Sequence, residues 1–248
     1  MSYRIPLNQS YRYNGLQMGE TGENTWPENK TSALSLSFDG GLPEHWELIA
    51  PLLEENGLRG SFFVTVPALL GNPESWRKLV YRGHEIGSHS HLGITDNGNL
   101  PAWTLEMVRE DLRMTDKGIV EILGCPVTSF ARSGLECAAS DGDYRSVLSK
   151  LFSFIRTSRE TTNLVEKVDM MDIASFSWTD LLGPIESVLP KQGEWSVISF
   201  EGFFDPAYVA AEDDLRVLLG HLVKREDIWV APMCEVGSAI LSKKGAIA

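Results

Sequence analysis

The sequence predicts a single-domain α/β fold, a distorted (β/α)7–8 barrel, on two observations. Strand-like and helix-like patterns alternate seven or eight times with no internal linker, which specifies a parallel sheet. The chain is 248 residues long with 43% hydrophobic residues, enough for one large core, and α/β barrels of this length form as single domains. A doubly wound open sheet is the alternative reading of the same alternation. In a barrel the site forms at the carboxyl ends of the strands, so residues just past each strand become candidates by position.

Residues 1–31 are rich in Tyr, Asn, Gly and Glu and hold no sustained period, so they read as an amino-terminal arm packed on a domain spanning 32–248. Tyr11, Tyr13 and Trp26 either anchor that arm or line a sugar groove. In the first strand Leu34, Leu36 and Phe38 alternate with Ser35 and Ser37 up to Asp39, and Gly40-Gly41 lets the backbone turn. A helix opens near Pro43, buries Trp46, Ile49, Leu52 and Leu53, and stops at Asn56-Gly57. The second strand runs from Gly60 to Val66 and is closed by Pro67; a short helix from Ser75 to Tyr81 ends at Gly83. The third strand is His84 to Ser90.

After a loop holding Asp96-Asn97-Gly98, the longest helical pattern runs from Thr104 to Leu123, with Leu105, Val108, Leu112, Ile119 and Leu123 at helical spacing. Pro126 to Ala131 is the fourth strand. A loop over 132–143, a helix from Tyr144 to Leu151 and a fifth strand from Phe152 to Arg156 follow. A sixth strand is expected within Met170 to Phe176, a helix near Leu181 to Leu189, and a seventh strand from Ser196 to Phe200. A helix from Val209 to Val223 leads to a last strand, Ile228 to Ala231, and a terminal helix from Glu235 to Leu241.

The formal net charge is −12 and no basic run occurs, which excludes nucleic acid or an anionic membrane as the partner class. Cys125, Cys137 and Cys234 lack metal-type spacing and read as reduced or buried thiols, not a disulfide framework. No apolar leader core follows Met1 and no run of about eighteen apolar residues occurs, so the expectation is a soluble cytoplasmic protein, secreted if a leader precedes Met1.

Asp39, His89, His91, Arg132, Asp180 and Glu201 stand just past predicted strands. Carboxylates, imidazoles and a guanidinium at one mouth are what metal-assisted hydrolysis requires: imidazoles hold a divalent ion and a carboxylate takes a proton from water. His89 and His91 are two apart, which in an extended strand points both to one side and allows joint ligation; histidines at strand ends also satisfy loop backbone.

These stretches resemble the polysaccharide deacetylases, the family-four carbohydrate esterases. Ser37-Phe38-Asp39-Gly40-Gly41 stands where the family has Thr/Ser-Phe-Asp-Asp-Gly, Gly60-Ser61-Phe62-Phe63-Val64 is similar to its second strand, and Gly83 to Ser90 to its third. Trp229-Val230-Ala231-Pro232 leading to Glu235-Val236 resembles the closing strand and helix of one bacterial branch. The resemblance covers residues 32–242 and implies a deacetylase-type barrel acting on an N-acetyl or acetyl ester bond of a carbohydrate, with a divalent metal such as zinc. It makes Asp39 the catalytic base, His89 a metal ligand and Arg132 the arginine that orients the base, and it sets Asp180 in a Trp-Asp motif whose order is reversed here. Gly40 and Gly93 occupy two family ligand positions, and Glu201 follows the strand that in the family ends on a histidine acid.

Three readings follow from these departures. His91 and Glu201 join His89 around an ion, with Asp39 as base. Alternatively, Asp39 and Glu201 act as a metal-free carboxylate pair on an amide or cyclic imide, their environments setting their proton affinities apart. In the third, the barrel binds carbohydrate without chemistry.

Overall fold

The computed structural model describes residues 26–27, 30–91, 99–132, 136–178, 184–201 and 211–247. The sheet is organised about β1 (Ser32–Gly40), whose residues are buried on both faces up to Asp39. Parallel strands wrapped by helices read as buried on both sides, and the inward Ser35 accepts a hydrogen bond from Trp195 Nε1 (3.1 Å). Along one edge β1 pairs in parallel with β12 (Glu194–Phe200), from Ala33 opposite Trp195 to Phe38 opposite Phe200. The other edge is divided: β13 (Ile228–Val230) takes Ser32 to Leu34, and β2 (Ser61–Val64) takes Ser37 to Gly40.

From β2 the sheet continues through β3 (Glu85–Ser88), β5 (Ser129–Ala131) and β8 (Phe154–Thr157) to β10 (Ile173–Ala174), and β12 carries β11 (Phe176–Ser177) on its far side. β10 and β11 are successive halves of one stretch. Ile173 and Ala174 pair with Arg156 and Thr157, while Phe176 and Ser177 pair with Ile198 and Ser199, so a single segment nearly closes the barrel. Asn163, in the two-residue β9 (Asn163–Leu164) on the start of β12, clamps this seam: its amide donates to the carbonyls of Ala174 (3.0 Å) and Trp195 (3.1 Å), and accepts from the Ala174 N–H (2.9 Å). β4 (Asn99–Leu100), β6 (Ala138–Ala139) and β7 (Gly142–Asp143) form a separate small sheet.

Strand parity divides the core. Leu34, Leu36, Phe38, Phe62, Ile86, Phe130 and Ile155 face outward and pack under α1 (Ala50–Glu55), α2 (Val66–Gly71), α3 (Pro73–Tyr81), α4 (Leu105–Leu123), α5 (Arg145–Leu151) and α6 (Ala211–Leu222). Ala33, Phe63, Ala131, Phe154, Trp195 and Val197 form the inner cluster, completed by Met233, Val236 and Ile240 of α7 (Met233–Ile247). Phe63 fills the interior because Gly87 opposite it has no side chain; a Cβ there would stand 2.4 Å from the ring.

Several elements depart from the sequence reading. Pro67 does not close the second strand but sits in the first turn of α2, where its missing N–H costs nothing. A π-helical turn, His45–Ile49, precedes α1. The helix expected near 181–189 is, within the described residues, one 3₁₀ turn at Ile185–Ser187. The terminal helix starts two residues earlier than expected and runs to Ile247. Trp26 is buried against Trp229, with ring centroids 5.9 Å apart; Tyr11 and Tyr13 lie outside the described residues. All three cysteines are free thiols, and no described helix is long and apolar enough to cross a membrane.

Candidate active site

Asp39 shares the inward parity of Ser35 and Ser37 and ends the buried part of β1. The Nη2 of Arg156 donates to its Oδ2, and the two side chains are 1% and 3% exposed. Arg156 sits in β8, which is separated from β1 by β2, β3 and β5, so this ion pair crosses the barrel interior. Its guanidinium also lies 5.6 Å from the centre of the Phe63 ring, a cation–π arrangement in an enclosed site. Removing one member of such a pair strands a buried charge, at a cost of about 3–5 kcal/mol. Three buried polar atoms around it have no hydrogen-bond partner among the described residues: Asp39 Oδ1, Ser37 Oγ and Arg156 Nε.

Arg156 was not among the sequence candidates. The signal for it is a charge on the inward parity of a strand, two residues after Phe154, in a run that alternates with Ile155. The expected arginine, Arg132, follows β5 and donates Nη1 to the Glu136 carbonyl (2.8 Å), while its N–H bonds the Arg156 carbonyl (3.0 Å).

The histidines do not share a strand. β3 ends at Ser88 and Ser90 adopts φ +61°, so the period-two argument that aimed His89 and His91 to one side does not apply. His89 is buried; its N–H donates to the Val64 carbonyl (3.0 Å) and its Nδ1 to Ala131 O (3.1 Å), leaving the lone pair of the neutral ring on Nε2. His91 is half-buried, and its backbone N–H donates to Asp111 Oδ2 of α4 (3.0 Å). Burial raises the Asp111 carboxyl above its ordinary value, and this hydrogen bond partly offsets it. Glu201 follows β12 and is exposed; the register that sets Phe38 opposite Phe200 brings it level with Asp39 on the adjacent strand. Asp180 and Gly93 lie outside the described residues.

Among the described residues no three His, Cys, Asp or Glu side chains are grouped to hold an ion. Asp39 is already held by a guanidinium, and Gly40, at the family's ligand position, has φ +95°, a conformation that strains any residue with a Cβ. The donor set among the described residues does not fit a family-type divalent ion.

A second buried cluster lies at the opposite end of the strands. Glu85, at the start of β3, accepts from Ser61 Oγ (2.7 Å), Ser129 Oγ and the Cys234 N–H (3.0 Å), and Ser61 Oγ accepts from the Met233 N–H (2.8 Å). The carboxylate thereby receives the first turn of α7, where a helix presents unsatisfied donors. Burial, with Glu85 and Glu235 nearby, pushes the Cys234 thiol well up, and burial with Glu85 raises Glu235 to about 7.

The polysaccharide deacetylase family description matches residues 27–148, which take in β1 to α5 with Asp39, His89, His91 and Arg132. A gellan lyase from Bacillus sp is 35% identical over 74 residues, a stretch amounting to 30% of this chain and only 3% of that protein's length. A family 4 acetyl xylan esterase from Clostridium thermocellum, solved in complex with a cobalt ion, superposes with TM-score 0.58 at 13% identity, covering 83% of this chain and 90% of that one. An allantoinase superposes with TM-score 0.63 at 13% identity, over 89% of this chain and 94% of that chain. A mutant of a family-four pseudoenzyme with restored enzymatic activity superposes with TM-score 0.53 at 16% identity, over 84% and 68%. At such identities the structures share the barrel. The family match covers residues 27–148, just under half of the chain and the part that carries Asp39, and the solved structures add the fold, a deacetylase-type barrel.

Proposed function

We propose that the protein hydrolyses an N-acetyl or acetyl ester bond of a carbohydrate with Asp39 as general base. The observation that carries this reading is a buried carboxylate at the mouth of a deacetylase-type barrel, with Oδ2 held by Arg156 and Oδ1 without a partner among the described residues. A carboxylate fixed at one oxygen presents the other in a set direction, which is what proton abstraction from an attacking water needs. Glu201, which follows β12 and is in contact with solvent, would return a proton to the leaving nitrogen or oxygen, a role supported by the register that pairs Phe38 with Phe200.

Acetate release from acetylated glucosamine oligomers and from acetylated xylan tests the reading. Wild type is expected to turn over at least one of them, and Asp39→Asn to lose roughly a hundredfold or more. An equally active Asp39→Asn would remove Asp39 from the base role. Gly40, which offers no side chain at a family ligand position, favours a second reading, a carbohydrate-binding homologue without turnover. Saturable binding of the same oligomers with no acetate released, unchanged in Asp39→Asn, would select it. Activity confined to cyclic imides or ring amides would redirect the substrate assignment while keeping the carboxylate chemistry.

A further inference from the structure

We infer that Arg156 is the positioning cation of this site, holding Asp39 by its charge, and that the centre works as a guanidinium–carboxylate pair without bound metal. The inference rests on the reading of Asp39 as base and says how that base is held. Arg156 is fully enclosed, faces inward from the far wall of the barrel and reaches Asp39 across it. A guanidinium is buried only when its charge is answered, and in the described structure Asp39 answers it. Asp39, already answered by that guanidinium, is not free to serve as a ligand, and Gly40 offers no side chain at the family's ligand position. The backbone agrees: Gly40 holds φ +95°, so a carboxylate ligand cannot be restored there without strain.

The polar atoms left over define what the pair receives. Arg156 Nε can only donate, Asp39 Oδ1 can only accept, and Ser37 Oγ, two residues before Asp39 on the same face, can do either. That set suits a water beside an acyl carbonyl: Nε or the hydroxyl donates to the carbonyl oxygen, and Oδ1 accepts from the water. As the water oxygen bonds to the acyl carbon, its proton passes to Oδ1. The carbon–nitrogen or carbon–oxygen bond then breaks as Glu201 gives a proton to the amine or alcohol, the proton on Oδ1 passes back to Glu201 through water, and the acetic acid released ionises to acetate, regenerating the pair. Arg156 changes no protonation state in this sequence.

Two measurements on the full chain test the inference. Metal content is read on protein purified without chelator, and again after incubation with zinc, cobalt or manganese followed by desalting. The expected content is far below one ion per chain, and a stoichiometric ion overturns the inference whether or not the protein is active. On a turned-over acetylated substrate, Arg156→Gln is expected to lower kcat by roughly a hundredfold with little change in KM, as for loss of a preorganised charge at the reacting centre. Arg156→Lys should recover part of that loss, and millimolar guanidine should recover part of the activity of Arg156→Ala, effects that a packing role alone would not produce. Wild-type kcat in Arg156→Gln, or neither form of recovery, overturns the positioning role. The double variant Asp39→Asn with Arg156→Gln, which buries no unpaired charge, checks that folding survives. If wild type turns over nothing, the hydrolysis reading fails by itself and the metal measurement still decides the charge assignment.

Discussion

Asp39 is a strand-end carboxylate whose chemistry depends on a residue 117 positions away in sequence. The alternation of Leu34, Leu36 and Phe38 made β1 and its terminal carboxylate legible, because period two in a parallel strand survives any tertiary context. Arg156 was not legible in the same way. Its strand lies buried on both faces, and only knowledge of which parity points inward separates a solvated arginine from one aimed at Asp39. The period-two argument for His89 and His91 does not apply for a local reason, the left-handed turn at Ser90, which a serine does not announce. Gly87 gives a prediction at this scale. Gly87→Ala forces a methyl to 2.4 Å from the Phe63 ring, beneath the Arg156 guanidinium, and should cost about 1–3 kcal/mol, read as a lower urea midpoint with an unchanged slope.

Among the elements, α7 is fastened chemically as well as by packing. Ser61 and Glu85 receive its first two N–H groups, and Val236 and Ile240 enter the inner cluster. Ser61→Ala removes both an acceptor and a donor from a buried network and should destabilise by about 1–3 kcal/mol in chemical denaturation. Glu235, raised to about 7 from an ordinary 4.5, acts in the opposite direction. Unfolding lets it ionise near pH 4.5, so stability present below that pH is lost as pH rises to about 7. Glu235→Gln should therefore raise stability at neutral pH by roughly 1–2 kcal/mol and leave it unchanged near pH 4, measured as thermal midpoints across that range. The longer strands and most helices were foreseen from apolar spacing, and the two-residue strands β4, β6, β7 and β9 were not. The helix expected near 181–189 was not realised within the described residues, because two prolines, Pro184 and Pro190, bracket a span too short for more than one 3₁₀ turn.

For the whole molecule, buried histidines oppose Glu235. Burial holds His45 at about 3 and His84 at about 4, the latter despite the Glu54 carboxylate beside it. Their unfolded forms take up protons near 6.5, so the stability they contribute is complete above that pH and is lost as pH falls toward 4 for His84 and 3 for His45. Of these three groups, only Glu235 still titrates between the folded and unfolded forms above pH 6.5, so stability should peak near that pH. A unfolding series in buffers from about pH 5 to about 8 checks this, and a monotonic rise to the alkaline end would contradict it.

The stretch from Ile173 to Ser177 joins β8 to β12 through two residue pairs on each side, whereas β1 and β12 share six. A cylinder with one short seam breathes there first. Asp39 and Arg156 stand on walls that such opening would part, so their ion pair acts as an internal tie-rod, and the state of the seam governs how water enters the mouth. Amides of 173–177 are expected to exchange with deuterium ahead of those of β1, and Asn163→Ala, which unpins the seam, should hasten that exchange while also loosening the distant carboxylate.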